Sequence, residues 1–274
     1  MNLDFKKAFN EVFELKYFWV YAFIYSVLAT LSTIFNTTKG ITLGEVISNI
    51  FSICTFISIA YIIMMIHNLI NDNKLNNENE NFWQNLGKSI KLGFKAFVGV
   101  LANILIIFLI DFGAIILWAL INAVIDKSGK IINSFSIISF ALIILITVIA
   151  MLFIVKLLVV AFSQNYSIKD MFKWRKVSKV FFKKGLAKKT CAVLGIYLLT
   201  CILLSAILLG ILFLFNLGIS FFAKTLLENH YLTVAILVSL SGVILPFVGG
   251  FAHFMLSSGI YNMLAKIYKE GLAE

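Results

Sequence analysis

Six blocks of Ile, Leu, Phe and Val, each about twenty residues or longer, alternate with short polar segments along the chain. They lie near 17–35, 46–66, 96–121, 135–162, 191–215 and 232–260. About twenty apolar residues suffice for a helix to cross a hydrocarbon core of ~30 Å. Strands of a membrane barrel would alternate with a period of two, and these blocks do not. The later blocks exceed the minimum length, so they tilt or protrude. Pro246 is the only proline, which suits continuous helices.

A second pattern precedes alternate blocks. Phe5, Ala8, Phe9, Val12 and Phe13 repeat at helical spacing, with Lys6, Lys7, Asn10, Glu11 and Glu14 on the other face. Before the third block, Phe82, Leu86, Ile90 and Phe94 recur every four residues, with Trp83 beside them. Before the fifth, Ile168, Met171, Phe172, Val177, Val180 and Phe181 follow a Ser167-x-x-Asp170 start signal, with Trp174 next to Arg175. The spacing predicts amphipathic helices over 4–16, 82–95 and 167–185, lying in the headgroup layer with the apolar face down. The expected fold is all-α: a single membrane domain over 1–274, with six transmembrane helices as three hairpins, each preceded by a cytoplasmic amphipathic helix. Whether the three units form an internal repeat, or any segment beside a membrane acquires such a stripe, is open at this level.

Composition agrees with a polytopic membrane protein. Apolar residues make up 61% of the chain, mean hydropathy is +0.99, and charged residues are only 13%. A soluble domain carries roughly 25% charged residues. The net charge of +10 would suit a nucleic-acid binder, but its placement does not. Eighteen of the 23 cations fall before the first block, between the second and third, between the fourth and fifth, or after the sixth; the other three loops hold Lys39, Lys127, Lys130 and Lys224. Lys156 alone lies inside a block. Retention of Lys and Arg on the inner side puts both termini and the loop 163–190 in the cytoplasm of a cell-membrane protein. The first block is long and lacks an A-x-A-like site, so no cleaved signal is expected. The stretch 68–81 reads as a solvated cytoplasmic loop; its Asp72, Glu78 and Glu80 lack the glycine and spacing of a calcium loop.

Ionisable residues inside the blocks are the first functional candidates. Asp111 lies about 24 Å along the third helix from Lys95. It is a cation or proton site, a polar bond to another helix, or a residue at the outer mouth. Lys156 lies about 9 Å from the inner end of the fourth block. Its stem is long enough to snorkel to the headgroups, and a pairing with Asp111 would need a register shift. His253 follows Pro246, Gly249 and Gly250, which together could break the sixth helix and expose carbonyls. The alternative is a hydrogen-bonded interior histidine. Lys173, Arg175, Lys176, Lys183, Lys184, Lys188 and Lys189 are candidates for anionic lipid headgroups. Cys54, Cys191 and Cys201 sit in apolar blocks without metal or disulfide spacing. No phosphate-binding loop, H-E-x-x-H or G-x-S-x-G is present. No cofactor, metal or enzymatic activity is expected, and no nucleic-acid partner.

The opening DFKKAFNEVF, the AYIIMMIHNLI block followed by a polar loop and NFWQNLGKSIKLGFKAF, the stretch AFSQNYSIKDMFKW and the closing VGGFAHFML and GIYNMLAKIY carry a resemblance over most of the chain. The sequence resembles the prokaryotic membrane proteins grouped as domain of unknown function 4013. That resemblance implies architecture and no site residues. The leading functional expectation is a non-enzymatic transport component: a small permease, a channel, or the membrane subunit of an exporter working with a separate ATPase. The alternatives are an immunity or stress-protection protein against a toxin, and a scaffold that binds anionic lipid.

Overall fold

The computed structural model describes residues 4–37, 42–71, 81–125, 134–226 and 231–273. The polar loop 72–80 and the cations Lys39, Lys127 and Lys130 lie outside these residues. Within them the chain is helical, with no strand. Eight α-helices follow in order: α1 Phe5–Phe13, α2 Phe18–Thr37, α3 Thr42–Ile70, α4 Phe82–Ile125, α5 Ser134–Asn165, α6 Trp174–Phe181, α7 Leu186–Leu226 and α8 Tyr231–Ala273. A 3-10 turn, Ile168–Phe172, joins α5 to α6. Six of the helices, α2, α3, α4, α5, α7 and α8, are long and apolar enough to cross a membrane.

The three segments that precede alternate blocks take three different forms. Asp4 starts α1 by accepting a hydrogen bond from the Lys7 amide at 2.9 Å, and Ala8 and Val12 are buried. The second segment is no separate helix: α4 is continuous from Phe82 through Lys95 to Ile125. Its packed face is not the expected phenylalanine stripe. Ser89, Gly93 and Ala96 are buried while Ile90 and Phe94 are exposed. The polar face wins because Tyr21 reaches it. The Tyr21 hydroxyl donates to Asn85 Oδ1 at 2.8 Å and lies 2.9 Å from Ser89 Oγ. The third segment divides into the 3-10 turn and α6. Ser167 makes no side-chain capping bond there. Asp170 instead accepts from Lys173 at 2.7 Å and from Asn165 at 3.2 Å. Partial burial alone would raise its carboxyl; these bonds and the charges of Lys173 and Lys176 outweigh that and hold it below the usual carboxylate range.

Consecutive spans pack on each other, α2 on α3, α3 on α4, α4 on α5 and α7 on α8, and α8 also touches α1, α2, α3, α5 and α6. The last helix is not interrupted where its proline and glycines could have broken it. α8 continues through Pro246, Gly249 and Gly250. Within a membrane, neighbouring groups can satisfy the backbone that a proline frees. Gly250 serves close approach: a Cβ there would stand 3.2 Å from Ala29 Cβ and 3.3 Å from Ser26 Cα of α2.

The dense core sits at one end of the bundle. Phe18, Tyr21, Ile62, Ile63, Ile66, Leu158, Phe162, Phe254 and Leu264 are fully buried there, with Met171 and Phe181 over them. Toward the other end, large apolar side chains of α4, α5 and α7 (Leu109, Ile146 and Leu214 among them) are exposed, as a lipid-facing surface requires. The packed end also carries charge, and polar bonds tie its helices. Lys266 on α8 forms an ion pair with Glu11 on α1, and Asn262 donates to Glu11 Oε2 at 3.1 Å and to the Ala8 carbonyl at 2.7 Å. Lys189 on α7 pairs with Glu270 on α8 at 2.7 Å. His67 stacks on Tyr166, and its Nδ1 donates to the Ser163 carbonyl at 2.8 Å. Tyr166 has positive φ (52°) and turns the chain out of α5.

Candidate functional site

The most unusual polar group inside the bundle is Lys156. It is 6% exposed, so its stem does not carry the ammonium to the surface. Nζ lies 3.9 Å from the ring centre of Tyr197 on α7 and 4.5 Å from that of Tyr261 on α8. A cation over an aromatic face is drawn to the ring quadrupole, by about 2 kcal/mol or more once desolvated. Among the described residues no carboxylate pairs with it.

The neighbourhood of Lys156 is built by α8. His253, Ser257 and Tyr261 follow one another every four residues, so they stack along one face. Ser257 is buried, and its hydroxyl faces the Tyr197 hydroxyl across the cluster. His253 is half-buried. Its Nδ1 lies 3.1 Å from the Tyr25 hydroxyl on α2, and the two rings stack with centroids 6.0 Å apart. The cluster therefore joins α2, α5, α7 and α8. It combines one ammonium, one imidazole, several hydroxyls and the Cys201 thiol, without a carboxylate among the described residues. Such a set can donate hydrogen bonds to an anion; it cannot neutralise a cation.

Asp111 belongs elsewhere. Its Oδ1 accepts from Thr147 Oγ1 on α5 at 2.7 Å, between flanking Ile110 and Phe112 side chains that are exposed. Of the readings open from sequence, the polar bond to another helix describes its contacts. The structure brings His253 into the surroundings of Lys156 and leaves Asp111 apart from both. Sequence reasoning missed Tyr25, Tyr197, Ser257 and Tyr261. The four-residue spacing of His253, Ser257 and Tyr261 was available as a signal; Tyr197 and Tyr25 carried none, since an isolated tyrosine in an apolar block is ordinary.

The basic segment is also sorted by the fold. Lys173, Arg175 and Lys176 border a groove beside α6, together with Lys179 and Lys183. Lys184 and Lys188 are exposed outside it, and Lys189 is engaged by Glu270. No group of three or more His, Cys, Asp or Glu side chains placed to hold a metal occurs among the described residues. No family model, curated protein or solved structure matches the chain.

Proposed function

We propose that this chain is a multi-pass protein of the cell membrane, with both termini and its basic end in the cytoplasm, and that it serves as a non-enzymatic component of transport. In this reading each cytoplasmic prelude leads into a hairpin of two spans. The protein is a small permease or channel, or the membrane subunit of an exporter with a separate ATPase. The substrate class is anionic.

One observation carries the reading: Lys156 is buried within the spans and has no carboxylate partner among the described residues. Burying an ion costs several kcal/mol even after relaxation. Two tyrosine faces offset about 4 kcal/mol of that cost. An anion entering the cluster would remove the remaining deficit, and Ser257 would supply a hydrogen bond. A structural role alone is better served by an apolar residue of the same size, which is often neutral or stabilising in place of a buried ion.

The test is anion flux in proteoliposomes of the full-length protein loaded in turn with chloride, nitrate and acetate. At least one anion should leave faster than from protein-free vesicles, and Lys156→Met should abolish that difference. Flux that survives Lys156→Met unchanged would remove the basis of the proposal.

A further inference from the structure

The groove beside α6 has a volume of about 1120 Å³. The loop that forms it is pinned rather than draped. Met171 inserts against α4 at Gly99, where any Cβ would collide with its sulfur. Trp174 Nε1 donates to Asn103 Oδ1 at 2.6 Å, and Asn103 Nδ2 donates to the Gly99 carbonyl at 2.8 Å. α6 then buries Val177 and Phe181 against the bundle, with Val180 packed over Gly271 of α8. Gly185, at φ 92°, turns the chain into α7.

This frame fixes two kinds of surface side by side. Arg175, Lys176 and Lys179 are exposed, and no carboxylate pairs with them among the described residues. Lys173, which also borders the groove, is held by Asp170. The apolar wall is made by Ile106 of α4 with Phe172, Trp174 and Val180. Phe172 is 43% exposed. A soluble anion has no use for such a wall. A lipid does, because its headgroup is anionic where its chains are apolar.

We infer that this groove is a specific site for one anionic phospholipid, with the phosphate held by Arg175, Lys176 and Lys179 and the upper acyl chain lying along Ile106 and Phe172. The site is independent of the cluster around Lys156. Its ligand is a component of the bilayer and not a transported substrate.

The full-length protein, purified in detergent, is titrated with phosphatidylglycerol or phosphatidylcholine, and retained lipid is counted by native mass spectrometry. Phosphatidylglycerol should be retained in preference, as one tightly held molecule. Each cation near a membrane surface contributes about a fivefold factor in lipid affinity. The triple variant Arg175→Gln, Lys176→Gln, Lys179→Gln should therefore lose about a hundredfold. The control Lys184→Gln, Lys188→Gln removes two cations of the same segment outside the groove, and should bind as the parent does. All five positions are exposed, so folding is preserved and helicity by circular dichroism verifies it. Equal retention of the two lipids, an unaffected triple variant, or an equal loss in the control would each overturn the assignment. So would displacement of the bound lipid by millimolar inorganic phosphate, which would mark a site for free anions.

Discussion

Lys156 Nζ stands 3.9 Å from the centre of the Tyr197 ring, which makes an ammonium a link between α5 and α7. α7 otherwise leans on α8, and α6 touches it only near its start. The link is polar where an apolar contact would have served. Replacing Lys156 by Met should therefore leave the melting temperature in detergent unchanged or raise it. Tyr197→Leu, which keeps the lysine and removes one aromatic face, should destabilise by about 2 kcal/mol. A Lys156→Met protein that melts well below the parent would show the ammonium to be structural.

Glu11 sets a pH dependence. Burial alone would raise its carboxyl, but the bonds from Lys266 and Asn262 and the charges of Lys266 and Lys7 outweigh it, so its pKa lies below the ordinary value of 4.5. A carboxyl depressed in the folded state contributes stability above its unfolded pKa, and that contribution is lost as pH falls through the folded one. The parent should thus lose more thermal stability than Glu11→Gln between pH 5 and pH 3. Parallel melting curves for the two proteins over that range would refute the linkage.

Asp111 and Thr147 form a single cross-helix bond, which an amide preserves. Asp111→Asn should change the melting temperature little and leave any anion flux intact, because the Asn carbonyl oxygen still accepts from Thr147. Asp111→Leu should cost about 1 kcal/mol, the usual net worth of such a bond. A flux lost in Asp111→Asn would return this residue to the transport site.

The seat of the basic loop on α4 is open to direct test. Asn103→Leu leaves the Trp174 N–H without its acceptor, at a cost of about 1–3 kcal/mol. Hydrogen exchange over 168–181 should accelerate in that variant while exchange in α2 and α3 does not. Uniform acceleration would mean that the loop and the bundle open together.

Orientation can be read by chemistry. In a chain with Cys54, Cys191 and Cys201 replaced by Ser, a cysteine introduced at Lys188 should resist membrane-impermeant maleimide in intact cells and react after lysis. Labelling from outside would invert the proposed topology.

Much of this architecture was legible in the residues. Six apolar blocks announced six long helices because a bilayer demands length and greasiness, which are local properties. What α4 would do was not legible. The phenylalanine stripe over 82–95 suggested a helix lying flat, but it said nothing of Tyr21, 64 positions from Asn85, whose hydroxyl draws the polar side inward. Periodicity reports that a helix has two sides; it does not report which neighbour claims one. The same limit governed Lys156. Its place within a span was plain, yet the rings that cage it lie 41 and 105 positions further along the chain. Pro246 and its glycines permit a break, but the helix runs on, and the small surface is used for packing instead, Gly250 against α2 and Gly249 against Leu208 of α7.

The unbroken run of α4 has a mechanical consequence. Its 44 residues make a rod of about 66 Å, while a bilayer with its headgroups measures roughly 45 Å. A thinner or thicker membrane must change how far this rod leans or how much of it stands clear. Asn85 and Ser89 ride near one tip of that rod and Asp111 toward the other, so the contact with Tyr21 and the bond to Thr147 stand at opposite ends of a single rigid element.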